Sequence, residues 1–198
     1  MKERSILFSG EMVRAIIAGR KTQTRRVVKF REVPNEPEHH NPWHTAGGWQ
    51  DGDESLRCPY GAPGDRLWVR EGWSAPITVL GAVNWLRMGS GEKPVYRADG
   101  GALPSGYGAW RSPLFMPRWA SRIALRVTGV RVERLWDITE ADALAEGVEP
   151  DPLGRWYGSG YNTAVYAYEA EWDRINGKRA PWASNPWVWV VEFRRVQP

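Results

Sequence analysis

A single cysteine, Cys58, stands in 198 residues. Without a second thiol no internal disulfide forms, which favours a reducing compartment and a cytoplasmic setting. Histidine is scarce too. His39, His40 and His44, taken with Cys58, match no structural zinc spacing, and no Cys-x-x-Cys pair is present, so neither a metal nor a cofactor is expected. No stretch reaches the roughly 18 apolar residues that span a bilayer. The opening Met1-Lys2-Glu3-Arg4-Ser5-Ile6-Leu7-Phe8 lacks the apolar run of a signal peptide, and no membrane partner is expected. Also missing are a phosphate-binding glycine loop, a dinucleotide fingerprint and a Gly-x-Ser-x-Gly elbow, which argues against nucleotide-triphosphate, Rossmann and α/β-hydrolase chemistry. Internal repeats and low-complexity tracts are absent.

What is abundant is tryptophan, with 13 in the chain. Most are expected in the core and at its rim, the remainder on a binding face. Hydrophobic residues at 42% are enough to bury one core, and a net charge of +4 suits a polyanionic partner without requiring one. The length suits a single domain over 1–198, with loop insertions near 31–62 and 74–113, where Pro, Gly and polar residues show no period.

Periodicity outlines the elements. A short buried strand is expected at 6–8, a helix at 11–18 stopped by Gly19, a basic turn at 20–26 and a strand at 26–30. Further strands are expected at 66–73, 94–98 and 121–135, with a turn or bulge at Thr128-Gly129. Thr139 with Asp142 caps a helix that runs to Glu146 and stops at Gly147. A Gly- and Tyr-rich loop at 149–163 leads to a second amphipathic helix at 164–175. The nearly continuous apolar run 187–195 reads as a strand inside the sheet.

The densest chemistry lies in Gly19-Arg20-Lys21-Thr22-Gln23-Thr24-Arg25-Arg26. A turn brings Lys21 and Thr24 to one side. A desolvated lysine among cations loses its proton readily and can serve as a base, and a threonine beside it can serve as nucleophile or orient water. Spacing alone favours the plainer alternative, a solvated basic loop. Glu146, at a helix C-terminus where its charge opposes the dipole, needs a local partner or a task. Glu71, in Gly64-Asp65-Arg66-Leu67-Trp68-Val69-Arg70-Glu71, reads first as half of an ion pair with an arginine. Arg118 and Trp119, in Met116-Pro117-Arg118-Trp119-Ala120-Ser121-Arg122, suit phosphate contact and base stacking as well as they suit a packed rim.

Taken in order, these stretches, together with Cys58-Pro59-Tyr60-Gly61 and Asn185-Pro186-Trp187-Val188-Trp189-Val190-Val191-Glu192-Phe193, resemble the ASCH (ASC-1 homology) superfamily, especially a phage and prophage group. The resemblance implies an α+β, PUA-like fold: a small mixed β-barrel with flanking helices. It also implies a link to RNA. A short bacterial branch resembles amidohydrolases acting on N4-acetylcytidine through a Lys, a Thr and a Glu. That branch's Lys-Thr-x-Thr-x-Arg motif falls on Lys21, Thr22, Thr24 and Arg26, and its Glu falls on Glu146 when counted from Ile138. The resemblance therefore implies catalysis by Lys21, Thr24 and Glu146. With it, substrate binding is expected from Arg26, Glu71, Arg118 and Trp119, on a modified cytosine nucleoside or nucleotide. The alternatives are a non-catalytic module for single-stranded RNA or DNA, and a nuclease using the same cleft. The chain departs from the short branch in its two long insertions.

Overall fold

The computed structural model describes residues 1–30, 42–45, 48–51, 54–76, 93–150 and 163–197. Its frame is a five-stranded mixed sheet. The strands are β1 (Glu3–Leu7), β6 (Arg66–Arg70), β9 (Ala124–Arg134), β10 (Trp187–Val196) and β2 (Gln23–Val27), in that spatial order. β1 and β6 run parallel, and every other neighbour pair is antiparallel. The helix α1 (Gly10–Ile17) connects β1 to β2. Its first turn is closed by Ser9, whose hydroxyl accepts from the Met12 N–H.

The mixed α+β class expected from sequence is present, whereas a closed barrel is not. β1 and β2 end the sheet as two separate edges. What joins them is a side chain: Arg26 on β2 donates from Nη2 to the Leu7 carbonyl at the end of β1, at 2.9 Å. A guanidinium thus meets an edge carbonyl that strand pairing leaves open.

β10 explains how the core is divided. It is paired on both sides, as its apolar run predicts, and alternate residues face opposite layers. Trp189, Val191 and Phe193 pack with Ile6, Phe8, Val13 and Ile16 beneath α1. Val188 and Val190 face the other way, against Leu135, Ala143, Tyr168 and Trp172. That second layer is covered by α2 (Glu140–Ala145) and α3 (Ala164–Asn176). Each fully buried aliphatic side chain contributes about 1.5–3 kcal/mol. The bulge expected at Thr128-Gly129 is there: β10 pairs Glu192 with Gly129 but Phe193 with Val127, leaving Thr128 as the extra residue.

Two readings are corrected. The expected basic turn at 20–26 is strand from Gln23 onward, so the strand placed at 26–30 begins three residues earlier. Arg25 is acceptable inside the sheet because the carboxylates of Glu133, Asp142 and Glu146 receive it, and Arg26 donates to backbone carbonyls. In the first expected insertion, β3 (Trp43–Thr45), β4 (Gly48–Asp51) and β5 (Glu54–Leu56) form a three-stranded antiparallel sheet, too short for its alternation to register in sequence. In the second, β7 (Trp73–Ser74) pairs with β8 (Val95–Tyr96). Within these insertions, 31–41, 46–47, 52–53 and 77–92 lie outside the described residues, as does most of the loop expected at 149–163. Among the described residues, no helix is long and apolar enough to cross a membrane.

Candidate functional site

The site begins at the end of α2. Thr139 and Asp142 form a reciprocal cap, the Thr139 Oγ1 accepting from the Asp142 N–H at 3.1 Å and the Asp142 carboxylate accepting from the Thr139 N–H at 3.2 Å. The helix therefore starts at a fixed residue and delivers Glu146 to its C-cap. Gly147 follows with φ of 92°, and a Cβ there would stand 2.9 Å from the Ala15 Cβ and 3.0 Å from the Lys21 Cβ. Only glycine permits both the turn and the approach. From the other side, Thr22 donates its N–H to the Ala145 carbonyl at 2.8 Å, docking the segment before β2 onto the end of α2.

This docking brings Lys21 onto Glu146. The ammonium lies 2.7 Å from Glu146 Oε2 and 2.7 Å from the Glu146 carbonyl, with side-chain exposures of 0% and 2% for the two residues. It also stands 5.7 Å from the centre of the Phe8 ring. Burial depresses the Lys21 pKa below the ordinary lysine value; Glu146 opposes this, while Arg26 and Arg25 add to it.

Glu146 has a second cation. Arg25 donates from Nη1 to Glu146 Oε1 at 3.2 Å and from Nη2 to Glu133 Oε1 at 2.5 Å, with Asp142 Oδ2 at 3.4 Å. The strand alternation of β2 places Gln23 beside Arg25 on this face, and Gln23 Nε2 reaches Asp142 Oδ1 at 3.0 Å. Arg131 closes the network by binding Glu133, Asp142 and Glu192. Burial would raise the Asp142 pKa. Hydrogen bonds from Thr139 and Gln23, with the Arg25 charge, instead hold it well below the usual carboxylate range.

Thr24 and Arg26 face the opposite layer of β2. Thr24 is 1% exposed, and its Oγ1 has no hydrogen-bond partner. Arg26 stacks over the Phe8 ring at 5.3 Å, the same ring that Lys21 approaches. A cavity of about 400 Å³ opens against Glu146 and Gly147, walled by Met12, Arg20, Glu149 and Tyr168. Arg20 and Glu149 pair at its rim at 3.0 Å.

Of the residues singled out from sequence, Lys21 and Glu146 are therefore in direct contact, Arg26 is linked to them through Phe8, and Thr24 is near in sequence but bonded to neither. The other three are engaged elsewhere. Glu71, 1% exposed, takes two bonds from Arg122 at 2.9 and 3.0 Å, and burial raises its pKa against that pairing. Arg118 is paired with Glu3 at 2.9 Å, and Trp119 packs edge-on against Trp73 at 5.7 Å. Among the described residues, none of these three is hydrogen-bonded or ion-paired to Lys21, Thr24 or Glu146. Sequence reasoning missed Arg25, Glu133, Asp142 as an acceptor, and Arg131. The available signal was the strand parity of Gln23 and Arg25. His39 and His40 lie outside the described residues, His44 sits edge-on to Trp49 at 5.2 Å, and no metal-binding cluster of three or more His, Cys, Asp or Glu occurs among the described residues.

No protein-family model and no curated protein matches this chain. Among solved structures, a crystal structure of an Enterococcus faecalis V583 protein of family DUF984 is similar at a TM-score of 0.44 and 12% identity, over 100% of this chain and 81% of that one. At that level of likeness the site is read from its own geometry.

Proposed function

We propose that this chain is an ASCH-type domain with a PUA-like, barrel-related sheet, and that it hydrolyses the acyl amide of an N4-acylated cytosine nucleoside or nucleotide. The observation that carries this reading is the water-excluded pair of Lys21 and Glu146, with a lysine biased toward its neutral form, beside an open cavity. Neutral Lys21 takes the proton of the attacking hydroxyl, either that of Thr24 or that of a water it orients. The new O–C bond forms at the acyl carbon and the C–N4 bond breaks. The proton passes by way of Glu146 to N4, releasing the cytosine amine. If Thr24 carries the acyl group, a second water cleaves that ester and frees the acid. Of the alternative readings, the nucleic-acid module looks to the basic turn for phosphate and to Arg118 and Trp119 for a stacked base, and the last two side chains are engaged within the protein; a nuclease would use the same cleft.

The direct test is acetate release from N4-acetylcytidine by the purified protein, followed by proton NMR with EDTA present. Release is expected, and its absence removes this substrate. Because the neutral lysine is the active form, the rate should climb with pH through an inflection below the ordinary lysine range. A rate that is flat or falls across that range counts against Lys21 as the base.

Thr24 offers a separate test. A buried hydroxyl with no partner contributes nothing to folding and is costly to desolvate. Thr24→Val should therefore leave stability unchanged or raise it by roughly 1 kcal/mol, while deacetylation is lost and Thr24→Ser retains it. Urea unfolding alongside the acetate assay checks both halves. A fully active Thr24→Val variant assigns the attack to a water that Thr24 does not orient.

A further inference from the structure

The turn at Cys58-Pro59-Tyr60-Gly61 has no part in the chemistry above, yet it walls a second cavity of about 470 Å³. The opposite wall is the end of β2 with Lys29, and Trp189 and Leu56 line the space between. Among the described residues its lining contains two cations, Lys29 and Arg57, and no acidic residue. Both are exposed, and neither forms an ion pair among the described residues. Arg25, Arg122 and Arg131, by contrast, each meet two or more carboxylates. Here the positive charge stands over an aromatic and aliphatic lining with no carboxylate partner among the described residues. It suits a ligand with an anionic end and a planar body, and the volume lies within the range of small-molecule sites.

The cavity also lies on the sheet face that carries Thr24. Trp189 pairs with Arg26 and Val191 pairs with Thr24, so all four side chains point to one layer. Along β10 the Trp189 position is two residues, about 7 Å, from the position opposite Thr24.

From the unpaired cations, the aromatic lining and this shared face, we infer that the cavity binds the phosphate-bearing end of a nucleoside monophosphate, with phosphate held by Lys29 and Arg57 and the sugar and base over Tyr60 and Trp189. The inference goes beyond the deacylation reading: among the described residues this cavity shares no lining residue with the one against Glu146, so its nucleotide site is separate from the acyl-cleaving one.

Calorimetric titration of the full chain with cytidine 5′-monophosphate and with cytidine tests the site without turnover. The monophosphate is expected to bind at least about tenfold more tightly, a margin that shrinks with added salt. The double variant K29Q/R57Q should erase that margin, leaving cytidine binding and the melting temperature unchanged. Equal affinity for the two ligands, a margin that survives in the double variant, or no binding of either overturns the inference. Displacement of the nucleotide by an equal concentration of inorganic phosphate also overturns it, reducing the cavity to a general anion site. Failure here with acetate still released from N4-acetylcytidine leaves the deacylation reading standing. Phosphate-dependent binding without any deacylation removes that reading and keeps the site.

Discussion

Lys21→Met lowers kcat/KM for deacetylation of N4-acetylcytidine by about a thousandfold while the protein remains folded. Loss of activity is expected because methionine fills the space of the lysine stem and cannot accept a proton. The survival of the fold is the less obvious half, since removing one member of a buried ion pair usually strands the other. Here Glu146 is not stranded. Its Oε1 still takes the Arg25 Nη1 bond at 3.2 Å, so a cation remains beside it after Lys21 has gone. Lys21→Arg separates charge from basicity, because a guanidinium keeps the positive charge but does not give up its proton near neutral pH. It should be as inactive as Lys21→Met. Circular dichroism and urea unfolding establish folding, and acetate release reads activity. A folded Lys21→Met protein with the wild-type rate would leave the pair a structural feature and the domain a binder.

How far this site was legible from sequence depends on where each signal was local. The capping box at Thr139 and Asp142 is a short-range pattern, and it correctly set the helix that ends at Glu146. The Thr128-Gly129 bulge and the two-sided burial of β10 were legible for the same reason: each follows from residues within a few positions. The start of β2 was not. Gln23, Thr24, Arg25 and Arg26 look like a solvated turn until the carboxylates of Glu133, Asp142 and Glu146, more than a hundred residues away, are folded against them. Without that start there is no parity, and without parity Lys21 and Thr24 were drawn to one side of a turn rather than one to the pair with Glu146 and the other to the opposite layer of β2. The small strands β3, β4 and β5 escaped notice because three or four residues carry no measurable alternation. Glu71 was read correctly as an ion-pair residue, but its partner, Arg122, becomes evident only in the fold.

Arg25→Met should be the most destabilising single substitution at this site, lowering the unfolding free energy by about 3–5 kcal/mol. For a chain of this size that corresponds to a fall in melting temperature of roughly 6–20 °C. Arg25 has a side-chain exposure of 0% and meets Glu133, Asp142 and Glu146 together. Methionine fills the space but leaves three carboxylates sharing Lys21 and Arg131. The burden falls on the Glu133 oxygen that Arg25 holds at 2.5 Å, since Arg131 binds the other oxygen of that carboxylate. The penalty does not reach the sum of three broken pairs, because each acid keeps at least one other donor, Asp142 several, and the Arg25 Nε has no partner to lose. Arg25→Lys keeps the charge but not the fork, so it should recover only part of the loss. The acid side gives an independent check. The depressed pKa of Asp142 means that its share of stability is present above the ordinary carboxylate value and is lost as pH falls through its folded value. A smaller part of that depression comes from Arg25, after the hydrogen bonds from Thr139 and Gln23, so the gap between Arg25→Met and the wild type should narrow only once pH falls below the variant's own Asp142 pKa, itself under the ordinary carboxylate value. Urea unfolding at neutral pH and along a series of falling acid pH values measures the gap. A gap that stays constant would locate the loss in packing around the stem rather than in the charges that hold Glu146 in place.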